Sequence, residues 1–113
     1  VRHVHDAEGK LIALGASTKG NMMCQFSGID HQLIECVLDN NEKKIGKVMT
    51  GSDIPIVNEE EWLGRLSKYL LVLPYYYIDY FTKMVSQNTR TGDTNYLIVL
   101  LPFPKVIQVK GEG

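Results

Sequence analysis

The chain has 113 residues, with 12 basic and 13 acidic side chains and a formal net charge of −1. This length fits one domain that buries a real core, and we predict a single domain over residues 1–113. The balanced charge gives no basic surface of the kind that binds nucleic acid or an anionic membrane. No apolar run approaches the roughly 18 residues that a membrane span needs. We therefore expect neither nucleic acid nor a membrane as a partner.

The chain has two cysteines, Cys24 and Cys36, without the CxxC spacing and the histidine companions of a zinc site. We predict that both are small buried side chains in a reduced, cytoplasmic protein. No metal-ligand set is expected in this chain. Because it begins at Val1 and reaches its first predicted strand almost at once, we expect it to be part of a longer polypeptide.

The first predicted unit is a strand, a loop and a helix. Leu11–Leu14 is apolar on both faces, which is typical of a central parallel strand. A helix is predicted from Thr18 to Ser27, with Ser17 or Thr18 as its N-cap and Gly28 at its end. Its apolar side chains at helical spacing define one face: Met22, Met23 and Phe26.

Two further strands and a second helix follow. The strands are predicted at Leu33–Leu38, which ends at Asp39, and at Ile54–Val57. Asn58 is the predicted N-cap of the second helix, whose first turn holds three glutamates that suit the helix dipole. The third of them, Glu61, is expected to complete a capping box. The predicted buried stripe of this helix consists of Trp62, Leu63, Leu66 and Leu70.

The last third of the chain repeats the alternation of strand and helix. Strands are predicted at Tyr69–Leu73 and Tyr96–Leu101, and a final extended piece at Val106–Val109. Between the two strands, Pro74 begins a third helix with an inward face made of Tyr77, Ile78, Phe81, Met84 and Val85. This order predicts an α/β three-layer sandwich of about five mostly parallel strands with helices on both faces.

The loop Gly15–Asn21 is the main candidate site. A strand that ends in a glycine turn brings backbone N–H groups and a helix N-terminus to one sheet edge, which favours phosphate. Asn21 stands where a P-loop requires lysine, and Ser17 stands where the dinucleotide fingerprint requires glycine. The loop therefore fits a looser phosphate site in which Lys19 offsets the charge. A solvated strand-to-helix turn without a ligand is an equally weighted alternative.

Two other places could contribute to this site. If strand four lies beside strand one, Tyr75 and Tyr76 face the loop across a crevice and could contact a base, a sugar or a phosphate. Core or interface packing is the alternative for them. Asp39 lies about where nucleotide-binding folds place a ribose-contacting carboxylate, although a turn cap is equally plausible. No catalytic set is evident, so we expect binding rather than reaction.

Five motifs in order closely resemble the C-terminal domain of the sugar C-methyltransferases (the NDP-hexose C-methyltransferase family). The resemblance is collinear from Gly9 to Val106, and the motifs are Gly15–Asn21, Asp39–Lys43, Gly51–Ile56, Tyr69–Pro74 and Leu101–Pro104. Enzymes of that family use S-adenosylmethionine to methylate a carbon of a nucleotide-linked keto-deoxysugar. The resemblance implies a Rossmann-like domain that helps to hold the nucleotide-sugar.

The resemblance also implies a division of labour within a longer enzyme. A zinc-binding N-terminal segment and a central methyltransferase domain of the same chain would hold zinc, the methyl donor and the catalytic residues. This fragment would then carry no catalytic residue and no cofactor of its own. Its predicted substrate-binding residues are Gly15, Ala16, Ser17, Thr18, Lys19, Gly20, Asn21, Asp39, Asn41, Tyr75 and Tyr76. The alternative is a stand-alone nucleotide- or CoA-binding regulatory module without catalysis.

Overall fold

The computed structural model of the protein describes residue 6, residues 9–100 and residues 104–112. The predicted end of the fifth strand at Leu101 and most of the last motif lie outside these residues. The strands are β1 (Leu11–Leu14), β2 (Ile34–Asp39), β3 (Ile56–Asn58), β4 (Tyr69–Val72), β5 (Thr94–Val99) and β6 (Lys105–Lys110). The helices that concern the site are α1 (Thr18–Phe26), α2 (Glu59–Trp62) and α3 (Ile78–Gln87).

The strands form one sheet in the order β3-β2-β1-β4-β5-β6. Neighbouring strands from β3 to β5 are parallel, whereas β6 runs antiparallel to β5. The prediction of an α/β fold with a mostly parallel sheet is confirmed. The predicted strand count of about five is wrong, because Lys105–Lys110 pairs along its whole length with Thr94–Val99 and adds a sixth strand.

The core lies on both faces of the sheet. Leu11 and Ala13 of β1 belong to one apolar cluster, which includes Cys24 of α1. Ile12 and Leu14 belong to a second cluster, which includes Phe81 of α3. All four residues of β1 are buried because side chains alternate between the two covered faces, and this explains why the strand is apolar throughout.

Helix α1 begins as predicted, but it buries a different face. The Ser17 hydroxyl oxygen accepts the Gly20 N–H at 3.0 Å, which confirms Ser17 as the N-cap. The buried residues of α1 are Gly20 and Cys24, four positions apart. Met22 is 63% exposed and Phe26 is 95% exposed. The predicted apolar face is therefore turned to solvent at these two residues, whereas Met23 is half-buried and packs against the core as predicted. Gly20, which has no side chain, lies at the contact between α1 and Leu73.

The other two helices also differ in detail from the prediction. Helix α2 ends at Trp62 and continues as a 3-10 turn, so the expected longer helix is wrong. Asn58 caps α2 by accepting the Glu60 N–H at 3.0 Å, and the described residues show no return bond from Glu61. Phe81, Met84 and Val85 are buried as predicted. Tyr77 is 56% exposed, because it belongs to a 3-10 turn before α3 and not to the helix itself.

Candidate functional site

A cavity of about 560 Å³ lies beyond the carboxyl ends of β1, β2 and β4. The strand order reverses between β1 and β4, and in open α/β sheets this is the point at which ligands bind. The volume falls within the range of small-molecule sites. We call it the switch-point cavity; it is lined by Gly15, Ala16, Ser17, Asp39, Asn40, Asn41, Lys44, Glu59, Pro74, Tyr76, Tyr77, Tyr80 and Phe81.

Gly15 shapes the floor of the cavity where the chain leaves β1. Its φ of +83° is one that L side chains rarely adopt, and a Cβ there would lie 2.5 Å from Pro74 Cδ. The Gly15 N–H donates to the Leu38 carbonyl at 2.8 Å, which extends the β1–β2 ladder by one step. Only glycine therefore permits both this turn and the close approach of the loop to Pro74.

Asp39 connects the loops that follow β1 and β2. Its Oδ2 accepts the Ala16 N–H at 2.9 Å, and its Oδ1 accepts the Asn41 N–H at 2.8 Å. The second bond makes Asp39 the cap of its own turn, which is one of the two alternatives that the sequence left open. Contact between Asp39 and a ribose stays a prediction. The first bond means that the Ala16 N–H is already used within the protein.

Within the described part of the chain, the cation that lines the cavity is Lys44, which the sequence did not single out. Its ammonium group donates to the Ala16 carbonyl at 2.7 Å, so it lies directly beside the loop after β1. Lys19, which was expected to serve this purpose, is exposed and does not line the cavity. No local sequence pattern connects Lys44 with a loop 28 positions earlier. The contact depends on how β1 and β2 pair.

The second half of the Gly15–Asn21 loop has structural contacts. Thr18 is exposed like Lys19, and Gly20 is buried against Leu73. The Asn21 side chain donates to the Thr50 carbonyl at 2.8 Å and accepts the Ser52 hydroxyl at 2.7 Å. The cavity is thus lined by the first half of the loop and not by the second. Ligand contact by either half stays a prediction.

Three tyrosines form an aromatic wall on the β4 side. Tyr76 lies at the cavity, as the sequence predicted, and is 63% exposed. The centroids of the Tyr76 and Tyr77 rings are 4.8 Å apart. Tyr80 completes the wall and contacts Phe81 edge to face. The backbone of Tyr75 belongs to the adjoining 3-10 turn, and its side chain lies outside the described part of the structure.

Glu59 is a buried carboxylate in this cavity, with 6% of its surface exposed. The Tyr80 hydroxyl donates to Glu59 Oε2 at 2.8 Å. This hydrogen bond raises the pKa of Tyr80 above its ordinary value, and burial of the hydroxyl adds to the effect. The sequence missed Glu59 as a site residue because its place in the first turn of a helix already explained it.

The described residues give no sign of a membrane span or a metal centre. No helix among them is both long and apolar enough to cross a bilayer, and no three His, Cys, Asp or Glu side chains gather as a metal-ligand set. Both cysteines are free and buried, which confirms their predicted burial. Burial raises the pKa of Cys24 to about 11 and that of Cys36 to about 12, so both thiols are neutral near pH 7.

Comparison with known proteins identifies relatives of this chain. The family model described as the C-methyltransferase C-terminal domain matches residues 1–102. The chain is 33% identical over 105 residues to C-methyltransferase NovU of Streptomyces niveus, a match that covers 92% of this chain and 24% of that protein. The chain thus spans about a quarter of the length of this curated relative. By this match over most of its length, the chain belongs to the family of C-methyltransferase C-terminal domains.

Proposed function

We propose that this chain is the nucleotide-sugar-binding C-terminal domain of an S-adenosylmethionine-dependent C-methyltransferase that acts on a nucleotide-linked keto-deoxysugar. The observation that carries the proposal is the switch-point cavity, which is bounded by loops from three neighbouring strands. Family membership supports the methyltransferase part. The methyl donor, zinc and the catalytic residues would belong to other domains of the same polypeptide, the central methyltransferase domain first among them.

The topology supports a Rossmann-like arrangement. The strand order β3-β2-β1-β4-β5-β6 is that of dinucleotide-binding domains, in which the ligand lies across the point where the order reverses. Apolar clusters on both faces of the sheet suit a sandwich of helices, sheet and helices. If the ligand lies as it does in dinucleotide-binding domains, the loops after β1, β2 and β4 contact the nucleotide.

The role of such a domain is to contribute substrate-binding energy to a reaction that takes place in the adjoining methyltransferase domain. Tyr76 and Tyr77 line the cavity and are each more than half exposed, so they could stack on a base, and such stacking contributes about 1–3 kcal/mol per base. Binding energy from a part of the substrate that does not react can orient the part that does. The domain would in this way position the sugar for methyl transfer without supplying a catalytic group.

Calorimetric titration of the chain with dTDP, UDP, NADH and CoA tests the proposal. We expect dTDP or UDP to bind, and Tyr76→Ala to weaken that binding about five- to hundredfold, the range expected for one stacked base. Phe26→Ala is the matched control, because this aromatic side chain is 95% exposed and does not line the cavity. Binding of NADH or CoA without dTDP or UDP would instead favour a stand-alone regulatory module, the alternative that the dinucleotide-type strand order supports.

A further inference from the structure

Several backbone N–H groups of the loop after β1 already donate hydrogen bonds within the protein, which leaves fewer of them open to an anion. A phosphate site at the start of a helix needs open backbone N–H groups. Here the Ala16 N–H donates to Asp39 at 2.9 Å, the Gly20 N–H to Ser17 at 3.0 Å and the Gly15 N–H to Leu38 at 2.8 Å. A carboxylate therefore occupies the position beside Ala16 that a phosphate oxygen would need.

The charge of the cavity also disfavours a phosphate. Among the described residues, its lining holds two carboxylates, Asp39 and Glu59, and one ammonium group, Lys44. The Lys44 ammonium already donates to the Ala16 carbonyl at 2.7 Å. Lys19, the cation of the loop itself, is exposed and lies outside the lining. From these described residues, a pyrophosphate inside the cavity would face more negative than positive charge.

Glu59 instead offers an acceptor to an uncharged ligand. The side chain is 6% exposed, and its Oε2 accepts the Tyr80 hydroxyl at 2.8 Å. Within the part of the chain that the structure describes, no hydrogen bond reaches its Oε1. Buried carboxylate oxygens normally have hydrogen-bond partners, because leaving one without a partner costs free energy. An N–H or O–H group of a ligand in the cavity would supply the missing donor.

We infer that the switch-point cavity takes the uncharged nucleoside portion of the ligand, with Glu59 Oε1 accepting one of its N–H or O–H donors, and that the pyrophosphate lies outside the cavity. The inference rests on the proposed function, since it assigns a part of the proposed ligand to a place. Tyr76 and Tyr77, which line the cavity and are more than half exposed, supply aromatic surface for a base. Glu59 is then a residue that determines specificity, through a contact that phosphate cannot make.

The test is calorimetry of the chain with thymidine, uridine, dTDP, UDP, inorganic pyrophosphate and methyl glucoside. We expect a nucleoside to bind within about tenfold of its diphosphate, and pyrophosphate and methyl glucoside not to bind. Raising the salt concentration should change nucleoside affinity less than twofold, because no ion pair with phosphate is involved. These measurements use the unsubstituted chain, so their outcome does not depend on how any variant folds.

Substitutions in the first turn of α2 test whether the Glu59 side chain contacts the ligand. Glu59→Leu should weaken nucleoside and diphosphate binding by the same factor, about ten- to hundredfold, as expected for loss of a hydrogen bond to a charged group. Glu60→Leu, an exposed neighbour on the same turn that does not line the cavity, should leave both affinities unchanged.

Three outcomes would overturn the inference, and they can be told apart. Pyrophosphate binding that Lys19→Ala abolishes would place the phosphate in the loop, and the proposed function would stand. Binding of methyl glucoside in place of the nucleosides would likewise contradict only the assignment to the nucleoside. If no compound of the series binds, the proposed function fails together with the inference.

Discussion

Replacing Gly15 by alanine tests the floor of the switch-point cavity. Gly15 has a φ of +83°, and a Cβ at this position would lie 2.5 Å from Pro74 Cδ and Cγ and 3.2 Å from Phe81 Cζ. Two costs therefore act together, backbone strain and overlap with a buried ring. Gly46→Ala separates them, because Gly46 has a φ of +90° but nothing within 4 Å of an added Cβ.

The expected magnitudes follow from these contacts. A non-glycine residue at a left-handed φ costs about 1–2 kcal/mol, and about 0.4–1 kcal/mol of this is offset because alanine restricts the unfolded chain. Gly46→Ala should therefore lower the free energy of unfolding by about 1 kcal/mol. Overpacking adds about 1–3 kcal/mol, so Gly15→Ala should lower the free energy of unfolding by about 2–4 kcal/mol.

Urea unfolding followed by fluorescence of the single tryptophan, Trp62, measures both variants. With a slope of about 1–3 kcal/mol/M, the Gly15 variant should unfold at a urea concentration lower than the Gly46 variant by roughly 1 M. Equal midpoints for the two variants would refute the reasoning. They would mean that the loop after β1 does not pack on Pro74, and that the cavity floor is not formed as described.

Three further predictions concern burial and ionisation. Phe81→Ala should lower the free energy of unfolding by about 3–5 kcal/mol because Phe81 is 5% exposed. Phe26→Ala should change it by less than about 0.5 kcal/mol because Phe26 is 95% exposed. Urea unfolding measures both variants, and equal effects would contradict the fold. Burial raises the pKa of the two thiols to about 11 and about 12, so neither should react with a disulfide reagent at pH 8 until urea unfolds the chain. Glu59→Leu should lower the pKa of Tyr80, because the hydrogen bond to the Glu59 carboxylate is the main cause that raises this pKa. A ¹³C NMR titration of labelled tyrosine measures the pKa, and an unchanged value in the variant would mean that the hydrogen bond is absent.

Local patterns were sufficient to predict much of the fold. The apolar run Leu11–Leu14 predicted a central strand, and the structure pairs it with β2 and β4 on its two sides. Ser17 was recognisable as an N-cap because capping depends on neighbours only three residues away. The sixth strand was missed as a partner in the sheet because its pairing with Thr94–Val99 is antiparallel and depends on the course of the chain between them.

The helical face of α1 shows where periodicity alone misleads. Met22 and Phe26 are larger and more apolar than Gly20 and Cys24, so hydrophobicity favoured the wrong face. Close packing of α1 on the end of β4 requires the residue with no side chain at the contact, where a Cβ would overlap Leu73. Size, and not hydrophobicity, determines the orientation of this helix, and size complementarity can be read only once the partner surface is known.

The sequence predicted several of the residues that line the cavity but not all of its charged side chains. The sequence placed Ser17, Asp39 and Tyr76 near one sheet edge, and all three line the cavity. It did not identify Lys44 or Glu59, because their positions at the cavity depend on contacts with residues more than twenty positions away. The structure also gives Asp39 a bond to the Ala16 N–H, which turns a predicted phosphate cradle into a loop held by the protein's own carboxylate.

The most direct test of the account is a two-dimensional ¹H–¹⁵N NMR titration of the chain with dTDP and with UDP. We expect at least one of them to shift the amide signals of four residues that line the switch-point cavity, Ala16, Ser17, Asn41 and Lys44. Signals of the exposed face of α1 at Met22 and Phe26 should not move. Shifts confined to that face, or no shift with either compound at millimolar concentration, would contradict the claim that this cavity is the nucleotide site.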